Sequence, residues 1–380
     1  MKFTTSKSKF LSALAGPADI ARTIPENDSN RFILRNVKLE VNNNMLTLTG
    51  TDADIVVKNK VEVNSESDGN ILILGQLIYD IINKLDDGSE IKCEYKEDEE
   101  VFYIYSGKSK FKLSSLPITN FPNFEEQTLE NTFNLTSEDF LKLIDKCKCA
   151  ICDEPSKYYL NGLFLHTSIE EDESKKLTAV STDGHKLAIV KLNYFNGNQD
   201  LQGIIIPKKS LVEIRKMLAL NSEEKNIEVF YSKTKIKIQS SKSMVISKLI
   251  DADFPDYKRV VPKENTKVLK CPKSILVKSI AKVSAIVNES HKGIKLFLTK
   301  DNLVLEGISA QNGTASDEIS LTFDEDTKIE IAFNSKYLLE ILSQLESDIV
   351  NIYFKDNFSA VIIKGDEEND KMFILMPVRI

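Results

Sequence analysis

Tryptophan is absent from the 380 residues, and histidine and cysteine are scarce, at three and five. So few thiols fit a reducing compartment and not a disulfide-stapled secreted scaffold. No apolar run approaches the ~18–20 residues of a membrane-spanning helix. The stretch Met1-Lys2-Phe3-Thr4-Thr5-Ser6 lacks the apolar core of a signal peptide and reads as the start of a strand. None of the patterns GxxxxGK(S/T), GxGxxG, HExxH or GxSxG occurs. Their absence removes the familiar phosphate-cradling, dinucleotide, zinc-protease and serine-hydrolase sites. Acidic residues outnumber basic ones, 57 to 50, for a net charge of −7. That balance argues against a protein that coats DNA or membrane through its bulk charge. What is present is ordinary globular composition, 42% hydrophobic and 28% charged, which excludes wholesale disorder. At roughly 100–200 residues per domain, the length predicts two to four domains.

Two constellations invite a catalytic or metal reading. Cys147, Cys149 and Cys152 cluster in Cys-Lys-Cys-Ala-Ile-Cys, but their spacing is neither paired CxxC motifs nor a Cys/His finger. His166 is the nearest imidazole in sequence, and thiols near a helix end are the simpler reading. Thr182-Asp183-Gly184-His185 sets an acid beside a candidate base, yet no nucleophile accompanies them and Asp-Gly suits a tight turn. The runs Glu97–Glu100 and Glu170–Glu173 read as solvated turn tips. A metal-dependent DNA-processing enzyme using Asp183, His185 or the cysteines stands as the alternative to a binding protein.

Self-similarity is the strongest signal. Helical periodicity recurs in Gln76–Leu85, Ser210–Leu218 and Lys336–Leu342, each followed by an alternating strand, with Leu77, Leu211 and Leu338 spaced by 134 and 127 residues. A second set comprises helices containing Phe10–Leu14, Phe140–Ile144 and Ile275–Ile280, each led by a short strand. Ser6 and Ser137 read as their N-caps and Pro272 as a first-turn residue. Leu48-Thr49-Gly50-Thr51-Asp52 echoes Ala179-Val180-Ser181-Thr182-Asp183 at an offset of 131, and Phe121-Pro122-Asn123-Phe124 echoes Phe254-Pro255-Asp256-Tyr257 at 133. These offsets predict an α+β fold of three repeated domains, at 1–125, 132–258 and 259–380, each with two helices packed on antiparallel sheets.

The net charge conceals an asymmetry. The six predicted helices hold fifteen basic and seven acidic residues, a surplus of +8, which against the total of −7 leaves strands and loops at −15. Lysines favour exposed helix faces in any protein. The functional reading is one helical surface that faces a polyanion while the remainder repels it. Without aromatic platforms, such a surface grips phosphates and does not read bases. Arg22, Lys84, Lys142, Lys146, Lys208, Lys209, Arg215, Lys278 and Lys282 are its candidate members.

Thr182-Asp183-Gly184-His185-Lys186-Leu187-Ala188, Tyr159-Leu160-Asn161-Gly162, Phe254-Pro255-Asp256-Tyr257-Lys258-Arg259-Val260 and Met376-Pro377-Val378-Arg379-Ile380 resemble the bacterial DNA polymerase III beta subunit, the sliding clamp family. The resemblance extends over the whole chain and its threefold repeat. It implies a non-enzymatic, cytoplasmic processivity factor without a cofactor. Two protomers would join head to tail into a six-domain ring, helices lining the hole. Implied partners are duplex DNA of any sequence, the replicative polymerase catalytic subunit, a clamp-loading ATPase, and other polymerases and repair proteins that carry short clamp-binding peptides. Carried over by motif, the peptide cleft comprises Leu160, Thr182, Gly184, His185, Lys186, Leu187, Pro255, Arg259 and Val260, with the tail Ile374, Leu375, Met376, Pro377, Val378, Arg379 and Ile380. The subunit contact falls near Lys108 and Phe111 on a first-domain edge strand, and near Ala285 and Ile286 of the third domain. Lys186 stands where the family more often has Arg, which keeps the charge and loses planar hydrogen bonding. The loop Cys152–Lys157 is acidic, so no DNA contact is carried onto it.

Overall fold

The computed structural model describes residues 1–379 apart from 123–128, 130, 171, 194, 221–224, 288–292, 322 and 324–327. Among the described residues the α-helices are α1 (Lys7–Arg22), α2 (Gly75–Lys84), α3 (Ser137–Cys147), α4 (Lys208–Leu220), α5 (Lys273–Ser284) and α6 (Ser335–Leu342), all at periodic segments found in the sequence. None is long and apolar enough to cross a membrane.

The helix starts follow from local chemistry. Ser6 caps α1, its hydroxyl accepting from Lys9 N–H, and Asn334 caps α6 by accepting from Lys336 and Tyr337 N–H. The α3 cap is not Ser137. Thr136, the last residue of the preceding strand, still has extended backbone, and its Oγ1 accepts from Asp139 N–H at 3.0 Å. Ser137 is already the first helical residue and is buried. Pro272 likewise ends its strand just ahead of α5 and does not enter the first turn. Inside α1, Pro17 cannot donate to the carbonyl of Ala13. Asn59 Nδ2 donates to that carbonyl instead, at 2.8 Å, and so ties the helix to the sheet beneath it.

The chain divides into two compact units, Met1–Leu141 with Asn196–Gln199 and Ile206–Leu249, and Lys142–Phe195 with Asp200–Ile205 and Ile250–Ile380. In the first, an eight-stranded antiparallel sheet runs Asn131–Thr136, Asn226–Tyr231, Lys235–Gln239, Ser243–Lys248, Ile55–Glu62, Met45–Thr51, Asn36–Asn42, Gly69–Leu74. A five-stranded sheet ends on Ser109–Ser114. In the second, an eight-stranded sheet runs Ile204–Pro207, Gly162–Ile169, Lys175–Thr182, Lys186–Leu192, Lys371–Leu375, Val361–Gly365, Ile349–Phe354, Lys267–Pro272. A four-stranded sheet ends on Gly313–Ser320. Each long sheet therefore joins four strands of one repeat to four of the next. The seams place Val245 opposite Val57 and Leu187 opposite Ile374.

One contact recurs in all three repeats and sets each helix on its sheet. A Cβ on Gly50 would stand 2.1 Å from the Pro17 carbonyl oxygen, and one on Gly307 would stand 2.3 Å from that of Val283. At the matching place in the second repeat, Ser181 Oγ donates to the Cys147 carbonyl at 2.6 Å.

Candidate partner cleft and basic helix faces

The turn between Lys175–Thr182 and Lys186–Leu192 is fixed by its own side chains. Asp183 Oδ1 accepts from His185 N–H at 2.8 Å and Lys186 N–H at 2.9 Å. Thr182 Oγ1 accepts from Gly184 N–H and donates to the Lys186 carbonyl. Gly184 occupies a positive φ of 91°, where a glycine carries no penalty. Thr51 to Ile55 repeats every one of these bonds, with Ala53 at φ 79° in the glycine's place. Asp183 is thus a turn-former whose carboxylate is committed to backbone amides. His185 is exposed, and its ring stacks on Tyr337 with centroids 6.1 Å apart.

Lys186 points inward. Its side chain is 5% exposed, its ammonium pairs with Glu340 of α6, and it lies 4.2 Å from the centroid of the Tyr337 ring. Glu340 and Tyr337 therefore belong to this site, although sequence reasoning did not select them. The signal available was their place on the third repeat's helix, directly ahead of the chain's final strands. Leu187 and Ile374 are both buried and meet across the seam, in one cluster with Val180, Ile189 and Tyr257. Leu375, opposite Lys186, is fully buried, which makes it sheet core and not a wall. Tyr257 belongs to the segment that also carries Pro255, Arg259 and Val260, all three exposed. That segment is held by Phe254 stacked on Phe164 at 4.6 Å and by Tyr257 Oη at 3.0 Å from His166 Nε2. Arg259 pairs with Asp256 at 2.9 Å. Leu160 is buried, and its carbonyl accepts from Cys152 N–H. Beyond Leu375 the chain leaves the sheet but stays tied, Met376 N–H donating to the His185 carbonyl and Val378 N–H to that of Ala332, both at 2.8 Å. Met376 and Arg379 are exposed and Pro377 half-buried; Ile380 lies outside the described residues.

The cysteines do not form a ligand set. Burial pushes the Cys147 thiol well up and that of Cys149 up to about 11, which disfavours the thiolate at both. Cys147 and Cys149 donate to backbone carbonyls and Cys152 Sγ accepts from Glu154 N–H. Among the described residues no three His, Cys, Asp or Glu side chains converge as a metal site would need.

Seven of the nine candidate basic residues are exposed, Lys142 and Lys146 being half-buried. Five of the nine have acidic partners: Arg22 with Asp19, Lys142 with Asp370, Lys146 with Glu346, Lys209 with Asp52 and Lys282 with Asp317. Of the residues expected at a subunit contact, Phe111 is half-buried on the edge strand Ser109–Ser114, with Lys108 exposed in the turn before it. Ala285 caps the end of α5, and the Ile286 carbonyl accepts from Asn312 Nδ2.

Comparison with known proteins decides between a clamp and an enzyme. Models of the DNA polymerase III beta subunit match in series: the N-terminal domain at 1–125, the central domain at 134–256 and the C-terminal domain at 258–379. The chain belongs to the DNA polymerase III beta subunit family. It is 29% identical to the beta sliding clamp of Caulobacter vibrioides over 380 residues, all of both chains. With the beta sliding clamp of Rickettsia felis it shares 30% identity over 355 residues, 91% of this chain and 92% of that one. The crystal structure of a DnaN sliding clamp from Bartonella birtlesii bound to griselimycin superposes with a TM-score of 0.93 at 33% identity, covering all of both chains. The family is made of non-catalytic sliding clamps, and the metal-dependent enzyme finds no support among these relatives.

Proposed function

We propose that two copies of the chain close head to tail into a ring around duplex DNA, confer processivity on the replicative polymerase, and hold it through the cleft beside the Leu187–Ile374 seam. The observation that carries the ring is the pair of sheet edges left over by the repeat. The last strand of the second repeat pairs with Ile55–Glu62, and the last strand of the third with Lys186–Leu192. By the same rule Ser109–Ser114 and Gly313–Ser320 want each other, and both end their sheets. Unpaired strand edges are templates for pairing between chains, and a two-copy head-to-tail contact that closes leaves neither of these two edges open.

The repeat also supplies the register. Phe111 faces Ile104 as Val245 faces Ile238, and Ala315 faces Gly307 as Val57 faces Gly50. Since Val245 lies opposite Val57, Phe111 should lie opposite the partner's Ala315. Cysteines introduced at 111 and 315 should cross-link two chains on mild oxidation, doubling the mass seen on a denaturing gel. A monomeric product would refute the pairing.

The remaining assignments follow from that arrangement. The domains are 1–125, 132–258 and 259–380, the first ending among residues outside the described set. Duplex DNA lies against Arg22, Lys84, Lys142, Lys146, Lys208, Lys209, Arg215, Lys278 and Lys282. Because five of these already have a carboxylate partner, a phosphate contact made by any of the five exchanges for an existing ion pair and holds DNA weakly. Weak contacts of nearly equal energy favour sliding, and closure of the ring provides retention. Leu160, Leu187, Val260, Ile374 and Met376 supply apolar walls for Leu and Phe anchors of a partner peptide, with Thr182, Gly184, His185, Pro255, Pro377, Val378 and Arg379 at the rim. A cytoplasmic loading ATPase opens the ring, and other polymerases and repair proteins compete for the cleft.

A further inference from the structure

One residue pair further along the face that carries Leu187 and Ile374, Ile189 stands opposite Met372. There a cavity of about 330 Å3 opens, lined by Ile189, Met372 and Val261 and rimmed by charged side chains. Its acids are matched: Glu170 holds Lys191 at 2.7 Å, and Asp370 holds Lys142 at 2.6 Å. Buried Lys371 is matched too, by Glu346 at 3.0 Å and Glu368 at 3.4 Å. Lys258 and Lys263, both exposed on the rim, have no carboxylate within ion-pair distance among the described residues. The surplus at the cavity is therefore positive. Beside it Ile169, a large apolar side chain of the same lining, is left 64% exposed.

We propose that this cavity is an acidic-flank subsite, which takes the side-chain carboxylate of a glutamate or aspartate in an extended partner peptide whose apolar anchors lie at Leu187 and Ile374. The inference rests on the peptide-cleft reading above. Same-face pairs along a strand are ~6.6–6.8 Å apart and an extended peptide advances ~3.3 Å per residue, which puts the acid two or three residues from the nearest anchor. The carboxylate meets Lys258 and Lys263, and the methylenes of the same residue cover Ile169. Both lysines are exposed and solvated, so the acid confers a preference and is not a requirement for binding.

The test compares amidated fluorescent peptides that share Leu and Phe anchors and differ only in glutamate or glutamine two and three residues outside them, on either side. Anisotropy titrations use the full chain and the double variant Lys258→Gln/Lys263→Gln. For the unaltered chain, a glutamate flank on one side should tighten binding roughly three- to tenfold at low salt, the size of two exposed ion pairs. The double variant should lose that preference and bind the glutamine peptide as before. Binding without a flank preference, or a preference that survives in the double variant, overturns the subsite alone. Failure of every peptide to bind the unaltered chain overturns the cleft reading and the subsite with it.

Discussion

Replacing Gly50 or Gly307 by alanine attacks the contact that seats a helix on its sheet. The added Cβ would stand 2.1 Å from the Pro17 carbonyl oxygen in one case and 2.3 Å from that of Val283 in the other. Ordinary contact begins near 3.4 Å, so α1 or α5 would have to retreat by about an ångström, against a buried backbone that offers no side chain to move aside. Overpacking of this kind costs about 1–3 kcal/mol, and a backbone clash lies at or above the upper end. Gly50→Ala and Gly307→Ala should each destabilise the chain by about 3 kcal/mol. Ser181→Ala should cost less, about 1–3 kcal/mol, because it adds no atom and only strips a partner from the Cys147 carbonyl. Urea unfolding of the three variants, followed by far-ultraviolet circular dichroism, measures this directly. A Gly50→Ala protein within about 0.5 kcal/mol of the unaltered chain would refute the equivalence of the three seats.

Deleting Met376–Ile380 removes the tail that Met376 and Val378 anchor to the His185 and Ala332 carbonyls, and should abolish polymerase binding while leaving the dimer intact, as judged by pull-down and sedimentation. Ala53→Gly should stabilise the chain by about 0.5–1 kcal/mol, since alanine at a positive φ is strained, and Gly184→Ala should destabilise it by about 1 kcal/mol; thermal unfolding of both variants checks the pair. Hydrogen bonds from Lys146 and then Lys371 lower the Glu346 carboxyl to about 2. Its contribution to stability is therefore fully present above its ordinary value of 4.5 and is lost as pH falls toward about 2. Melting temperature should thus fall less steeply between pH 5 and 2 in Glu346→Gln than in the unaltered chain.

The repeat was legible because it is written in backbone-proximal residues. Apolar spacing located all six helices among the described residues, and the Thr-Asp turn announced itself through side chains that bond only to their neighbours. The register of the seams was less legible, since pairing partners such as Val57 and Val245 are far apart in sequence and look like any other β-branched residues. Thr136 and Ser137 are equally good caps on paper; only the extended conformation of Thr136, the last residue of its strand, decides between them. The basic helix surplus can be counted from the sequence, but its local pairing cannot, because partners such as Asp317 and Asp370 come from strands and turns. The sequence puts Lys186 in the cleft motif and says nothing of its depth. Its burial against Glu340 and Tyr337 depends on a contact spanning 154 residues, which no local pattern encodes.

The central claim is that the protein is held on DNA by topology. The direct measurement loads it onto a nicked circular plasmid with a matched, demonstrably active loader and ATP, and follows retention before and after a single cut. Retention on the circle with rapid loss on linearisation is the predicted result. Equal retention on circle and line would mean binding by contact alone and would contradict the ring.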